Sequence, residues 1–207
     1  CGTGRLLNIL REQSNQCYGL DVSEEMINKI QNKTNLYVGS VFSMPFEDNF
    51  FDIVTSMDLM VHFEDVQKIL KEKLRVTKKN GKIIFNIGSQ EHYDLSKKIY
   101  GEKFDPVYEN DKKSLLKPYY KTISDIELSN IGKKLGYEII KSVPYNFFIS
   151  NILFTSASSK NINLNEKFKN VFDDENFIDF VSFFERNIIN NSNPSLTFYK
   201  IVVLKKN

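Results

Sequence analysis

Tryptophan is absent from this 207-residue chain, and cysteine and histidine occur twice each. With so few histidines, imidazole acid–base chemistry near neutral pH falls to His62 or His92. The strand pattern below places Cys1 and Cys17 at opposite ends of neighbouring parallel strands. A disulfide needs Cα atoms within ~7 Å, so free thiols and a reducing, cytoplasmic setting are expected. No apolar run approaches ~18 residues, so no membrane span is expected. Charge of one sign is also lacking. The 28 Lys and Arg against 26 Asp and Glu leave a net +2, which gives no basic surplus for a nucleic-acid partner. No metal site is expected either. What remains is an apolar fraction of 41%, enough for the core of one domain of ordinary size.

The first half alternates helix and strand. Arg5 to Gln13 reads as a helix with Leu6, Leu7 and Leu10 on one side. "CYGLDV" is a short buried strand. Ser23 then caps a helix that carries Glu24 and Glu25 in its first turn, where carboxylates suit the helix dipole. "NLYVGSV" and "FFDIVTSM" are of strand type. Val66, Ile69, Leu70 and Leu74 mark one face of a helix from about Asp65 to Arg75. "KKNG" ends it, with Gly81 as the turn, before the strand "KIIFNIGS". This alternation predicts a mostly parallel sheet with helices on both faces, whose ligands bind outside the carboxyl ends of the strands.

The second half has another character. Gln90 to Lys121 is charged and aromatic without a clear period, and reads as an insertion or lid. Ser124 starts a helix through Leu128, Ile131 and Leu135, and Gly136 stops it. "YEIIKSVPYNFF" is a strand. Residues 151–193 read as mostly helical, with "ENFIDFVSFFERNII" the clearest piece. "SLTFYKIVVLKK" is a last strand.

Gly2 and Gly4 let backbone approach a ligand, with a helix start aimed at it. Asp21 ends a strand about 20 residues on, where a carboxylate can take both hydroxyls of a ribose; Val22 stands beside it. A capping role for the Asp of "DVSEE" is the plain alternative. A dinucleotide loop prefers a third glycine where Leu7 stands.

The stretch "YVGSVFSMPFEDNFFDIVTSMDLMVHFEDVQKILKEKLRVTKKNGKIIF" resembles the class I S-adenosylmethionine-dependent methyltransferases, most closely the small-molecule type that includes the quinone-biosynthesis enzymes. Gly39, Ser40, Val41, Met44, Pro45 and Phe46 match a Gly-Asp-Ala-x-x-Leu-Pro-Phe pattern. Asp48, Phe51 and Asp52 match the segment after it, and Met60 to Phe63 match a Leu-His-His-like turn. The resemblance covers residues 1 to about 143 and the last strand. It implies a Rossmann-like α/β fold with an antiparallel last strand, S-adenosylmethionine as cofactor, and a strand with an acidic end ahead of Cys1. It further implies cofactor contacts at Gly2, Gly4, Asp21, Val22, Ser40, Val41, Phe42, Met57 and Asp58. One departure stands out: the family's Asp after the glycine is Ser40, so adenine recognition would pass to the hydroxyl, the Val41 backbone or Phe42.

The expected activity is methyl transfer to an O, N or C atom of a small-molecule acceptor. Positioning contributes much of the rate in such an in-line displacement, and a base is needed only if the acceptor must lose a proton. His92 and His62 are the candidates for that role, against a surface-loop reading for His92 and a packing reading for His62. Tyr93, Tyr100, Phe104, Tyr108, Tyr119 and Tyr120 could wall an apolar acceptor pocket or form the insertion's own core. A single domain is expected, with insertions at about 90–121 and 151–193 as lid or substrate subdomain. The alternatives are a catalytically silent methyltransferase-like binding subunit and a nicotinamide-dependent oxidoreductase.

Overall fold

The structure, a computed structural model, describes residues 1–14, 16–100, 121–147 and 174–207. Residues 101–120 of the lid expected at 90–121, and residues 151–173 of the helical stretch expected at 151–193, lie outside them. In chain order the principal elements are α1 (Arg5–Arg11), β1 (Gly19–Asp21), α2 (Glu24–Asn28), β2 (Leu36–Val38), β3 (Phe51–Ser56), α3 (Val66–Val76), β4 (Thr77–Ser89), α4 (Gln90–Tyr100), β5 (Thr122–Ile123), α5 (Asp125–Leu135), β6 (Tyr137–Tyr145), α6 (Glu175–Asn187) and β7 (Tyr199–Lys206).

β1 and β2 pair in parallel as one ladder. The larger sheet has the order β3-β4-β7-β6, with short β5 beside the end of β4. β3 runs parallel to β4, whereas β7 lies antiparallel between β4 and β6. The last strand therefore enters the sheet reversed, and β6 runs in the same direction as β4. Both agree with the expected α/β fold.

Side-chain alternation explains the core. Ile83, Phe85 and Ile87 of β4 and Val202 and Leu204 of β7 point to one face and are fully buried. Onto this face pack Ile69 and Leu70 of α3, whose period was legible, and Leu128 of α5. Complete burial of one such side chain is worth ~1.5–3 kcal/mol. The caps stand where expected: the Ser23 hydroxyl accepts from the Met26 N–H, and the Ser124 hydroxyl from the Glu127 N–H.

Two local expectations change. "KKNG" is not a separate turn, because β4 follows α3 without a break and the pairing to β3 jumps from Phe51↔Thr77 to Ile53↔Lys82. Asn80, not Gly81, takes the left-handed backbone, with φ 62°. Gly81 is required by crowding, since a Cβ there would sit 2.6 Å from Thr77 Cγ2 and 2.9 Å from the Asp52 carbonyl oxygen. The second change is at Gln90–Tyr100, expected to be irregular, which is the 11-residue helix α4. The Ser89 hydroxyl accepts from the His92 N–H at 3.2 Å at its start. Its buried residue is Ser96, so no hydrophobic period marks it.

Buried charge ties these helices to the sheet. Lys200 of β7 is fully buried and pairs with Glu91 of α4 at 3.1 Å and Asp125 of α5 at 2.7 Å. Removing either carboxylate would leave a poorly compensated buried cation. Lys73 of α3 is also buried, yet its partners are the Ser56 hydroxyl, the Met60 sulfur at 3.5 Å and the face of Phe85 at 5.4 Å. Burial without a carboxylate brings the Lys73 ammonium down to about 7.

Candidate functional site

The two ladders point the same way. Tyr18, just before β1, packs on Phe50 and Phe51 at the start of β3, each with centroids 5.4 Å apart. At the other end Phe42, in the loop after β2, meets Phe63, beyond β3, at 5.2 Å. Strand starts therefore lie by strand starts and carboxyl ends by carboxyl ends. The latter edge gathers Gly2, Asp21, Ser40, Phe42 and Asp58.

Gly2 and Gly4 have φ of 56° and 83°, a left-handed turn that only glycine enters without strain. A Cβ on Gly2 would meet nothing within 4 Å, whereas one on Gly4 would press on Ile30 at 3.0 Å. The turn thus needs glycine twice, and Gly4 also packs against Ile30, beyond α2. The Gly2 N–H donates to Asp21 Oδ2 at 2.7 Å and the Cys1 amino group donates to the same oxygen at 2.8 Å. The Ser23 N–H donates to Oδ1 at 2.9 Å. Burial pushes this carboxyl up, and the N–H donors around it, those of Gly2 and Ser23 among them, pull Asp21 below the usual carboxylate range. A carboxylate has about four lone-pair positions, so one on Oδ1 stays open. Two ribose hydroxyls would fill it and displace one present donor.

The loop after β2 is a built structure. The Ser40 hydroxyl accepts from the Phe42 N–H at 3.2 Å, and Ser40 bridges Ser43. Beneath it, Glu72 accepts from the Met44 N–H at 2.6 Å. Arg75 donates to the Met44 and Phe46 carbonyls and to Asp48. Val41 packs against the main core. Val22 is 77% exposed, and Phe42 and Met57 present about two fifths of their surface.

Asp58 follows β3 with φ 54°, a conformation that costs a non-glycine residue ~1–3 kcal/mol and needs outside support. Asn86 of β4, itself buried, supplies it. Asn86 Oδ1 accepts from the Asp58 N–H, and Asn86 Nδ2 donates to Asp58 Oδ1, both at 2.6 Å. Nδ2 also donates to the Tyr145 hydroxyl at 2.6 Å. Sequence reasoning missed Asn86 and Tyr145. One signal was present: an isolated amide inside the apolar run "KIIFNIGS" must find partners when buried.

The histidines are separate. His62 ends a short 3₁₀ turn, Met60–His62, and is exposed. His92 lies in α4 and is half-buried, not in a surface loop. Its Nδ1 is 2.8 Å from the Ser195 carbonyl oxygen, an acceptor only, so Nδ1 carries the proton. Nε2 then accepts from the Ser96 hydroxyl at 3.3 Å. Burial lowers the ring's affinity for a second proton, against the raising effect of the Ser195 carbonyl. Cys1 and Cys17 are free thiols.

Known proteins resemble this chain in sequence and fold. A family model described as "Methyltransferase domain" matches residues 1–85. A demethylmenaquinone methyltransferase of Bacillus cereus is 30% identical over 173 residues, covering 72% of each chain. The chain belongs to the class I S-adenosylmethionine-dependent methyltransferases. Ajmaline N-methyltransferase of Rauvolfia serpentina is 31% identical over 106 residues, 46% of this chain and 36% of that enzyme; the match thus spans about a third of its length. Among solved structures, an S-adenosylmethionine-dependent methyltransferase from Archaeoglobus fulgidus aligns with TM-score 0.57 at 18% identity, covering 100% of this chain and 83% of that one. The magnesium protoporphyrin IX methyltransferase of Synechocystis, solved with S-adenosylhomocysteine, also gives TM-score 0.57, at 13% identity, covering 100% of this chain and 71% of that one. These likenesses carry the fold, and membership of the family makes S-adenosylmethionine the methyl donor. The nicotinamide alternative is set aside. Among the described residues, no helix of this methyltransferase is long and apolar enough to cross a membrane.

Proposed function

We propose that this chain methylates an O, N or C atom of a small molecule, with S-adenosylmethionine lying along the carboxyl ends of β1, β2 and β3. The observation that carries the reading is the left-handed glycine turn bonded to Asp21, with open space above Gly2. Bound there, S-adenosylmethionine supplies an electrophilic methyl group on a sulfonium.

The chain's residues then divide the work. Gly2 and Gly4 line the methionine part with bare backbone. Asp21 offers Oδ1 to the ribose. Val22 and Phe42 would flank the adenine, with Ser40 and the Val41 backbone at its edge. Met57 would border the sulfonium, and the Asp58 carboxylate, held by Asn86, would take the methionine ammonium. None of these groups reacts; they align donor and acceptor, and alignment is the chief source of rate in such a displacement. His92 has both ring nitrogens committed to Ser195 and Ser96, which favours a packing role over that of a base. His62 is exposed at the same sheet end and is the better-placed histidine to take a proton.

Two relatives carry the names of small-molecule acceptors, demethylmenaquinone and ajmaline, and the near-neutral charge gives no basic stripe for nucleic acid. The test is to supply methyl-labelled S-adenosylmethionine with a cell extract split into material below about 1 kDa, protein and nucleic acid. Label should enter the small-molecule fraction. Label confined to protein or nucleic acid would overturn the reading.

A further inference from the structure

The chemistry of one amide fixes the direction of a hydrogen-bond chain. The Asp58 backbone N–H can only donate, so the Asn86 atom 2.6 Å from it is Oδ1. The other amide end is Nδ2, which can only donate. Its partners are Asp58 Oδ1 and the Tyr145 hydroxyl oxygen, both at 2.6 Å. The Tyr145 oxygen therefore accepts, and its own proton points elsewhere. Among the described residues no acceptor meets it.

The sheet places that proton at the reaction edge. β6 runs with β4, so Tyr145 at the carboxyl end of β6 lies at the same end as Asp58. The register puts Asn86 opposite Ile201, itself opposite Val143, and puts Tyr145 opposite Tyr199, two residues along. By register Asn86, Tyr145 and Tyr199 fall on one face of the sheet, and Tyr199 also packs against the main core. The Tyr199 ring stands 5.8 Å from that of Tyr145, tilted by 45°. A ligand oxygen near the plane of the Tyr145 ring would meet a hydroxyl proton held in one direction by the Asn86 amide.

We propose that Tyr145 is a specificity-determining residue that donates its hydroxyl proton to an oxygen of the acceptor, with Asn86 as the positioning residue that aims it. The inference rests on the reading of the chain as a small-molecule methyltransferase. Burial pushes the Tyr145 phenol up to about 12; the Asn86 bond opposes this and the Asp58 charge adds to it. The group is therefore a hydrogen-bond donor at neutral pH and not a base. The same Asn86 amide also supports Asp58, so one buried side chain would set both the cofactor's amine partner and the acceptor's oxygen partner. A site built to bond an oxygen discriminates against an analogue that lacks it far more strongly than an apolar wall can.

The test uses the protein loaded with S-adenosylhomocysteine, with 1,4-dihydroxynaphthalene and naphthalene as probes in deoxygenated buffer. Wild type should prefer the diol, and Tyr145→Phe should reduce the ratio of the two dissociation constants by roughly 10-fold. S-Adenosylhomocysteine affinity, measured separately by calorimetry, should stay the same in the variant. 3-Fluorotyrosine at position 145, a stronger donor of the same shape, should raise the ratio above wild type. A ratio unmoved by both substitutions overturns the proposal, as does a wild type that binds neither probe. Failure to bind S-adenosylhomocysteine would instead overturn the functional reading beneath it.

Discussion

β1 and β2 are three residues long each, whereas β4 runs for 13 and β7 for eight. The short ladder and its loops present glycine backbone, a carboxylate and exposed apolar side chains at one edge. The long ladder buries Ile83, Phe85, Ile87, Val202 and Leu204 under α3 and α5. On the proposed reading, cofactor binding falls to the short ladder and its loops, and stability to the long one. Contacts made by loops and backbone leave the core untouched when they change, and a fully packed core can hold a costly feature such as the left-handed Asp58 through a single buried amide. The same logic accounts for Lys73, a buried cation that the core tolerates without a carboxylate.

That separation can be challenged from the core outward. The largest effect is expected from Phe85→Ala, which empties the centre of the sheet and removes the ring under Lys73. It should cost ~3–5 kcal/mol in denaturant unfolding. An effect below ~1 kcal/mol would show that the long ladder is not where the stability lies.

Lys73→Met should come next, and it has a signature in pH. The ammonium is near 7 in the folded protein and near 10.5 in the unfolded chain. Between those values the unfolded chain binds more protons, so wild-type stability rises with pH from about 7 to about 10.5. Below about 7 the folded protein must hold the buried charge. Methionine removes that cost, so the variant should melt at least roughly 3 °C above wild type at pH 6, with the gap narrowing by pH 9. A constant gap would mean that Lys73 keeps an ordinary affinity for its proton.

His92→Ala should lower the melting temperature by a few degrees, through loss of the Ser195 and Ser96 bonds worth ~1 kcal/mol each. Turnover per folded molecule should change by less than about 10-fold. A loss of ~10²–10⁴ in turnover, with a vanished limb of the pH profile, would instead restore the base role. The smallest effect is expected from Ser40→Asp. The new carboxylate can keep the bond from the Phe42 N–H and add an acceptor for the adenine amino group. Cofactor affinity should rise by about 3-fold with stability unchanged, and a weakened affinity would place the adenine elsewhere.

Much of this fold could be read from the sequence, for local reasons. α3 shows its period because one face meets a hydrophobic sheet. The caps at Ser23 and Ser124 depend on neighbours three residues away. The glycine turn was legible because Gly2 and Gly4 do there what other residues cannot. α4 was not legible, because its buried side is Ser96 and half-buried His92 against the Ser195 carbonyl, with the Glu91–Lys200 pair at its start. Polar burial leaves no hydrophobic period to find. Asn86 and Tyr145 lie 59 residues apart in the chain and meet only because β7 inserts between β4 and β6. Lys73 sits in a run of charged residues, "LKEKLR", and only the packed structure distinguishes this buried lysine from exposed Lys71 and half-buried Glu72 and Arg75.

A calorimetric titration with S-adenosylhomocysteine of wild type and Asp21→Ala decides where the cofactor binds. Asp21 joins the glycine turn to β1 and keeps a position on Oδ1 for a ribose hydroxyl, and hydrogen bonds to a carboxylate are worth ~1.5–3 kcal/mol each. Wild type should bind saturably and the variant should lose at least ~10-fold in affinity, with the melting temperature little changed. Equal affinity in the two proteins would mean that the cofactor lies somewhere other than against the glycine turn and Asp21.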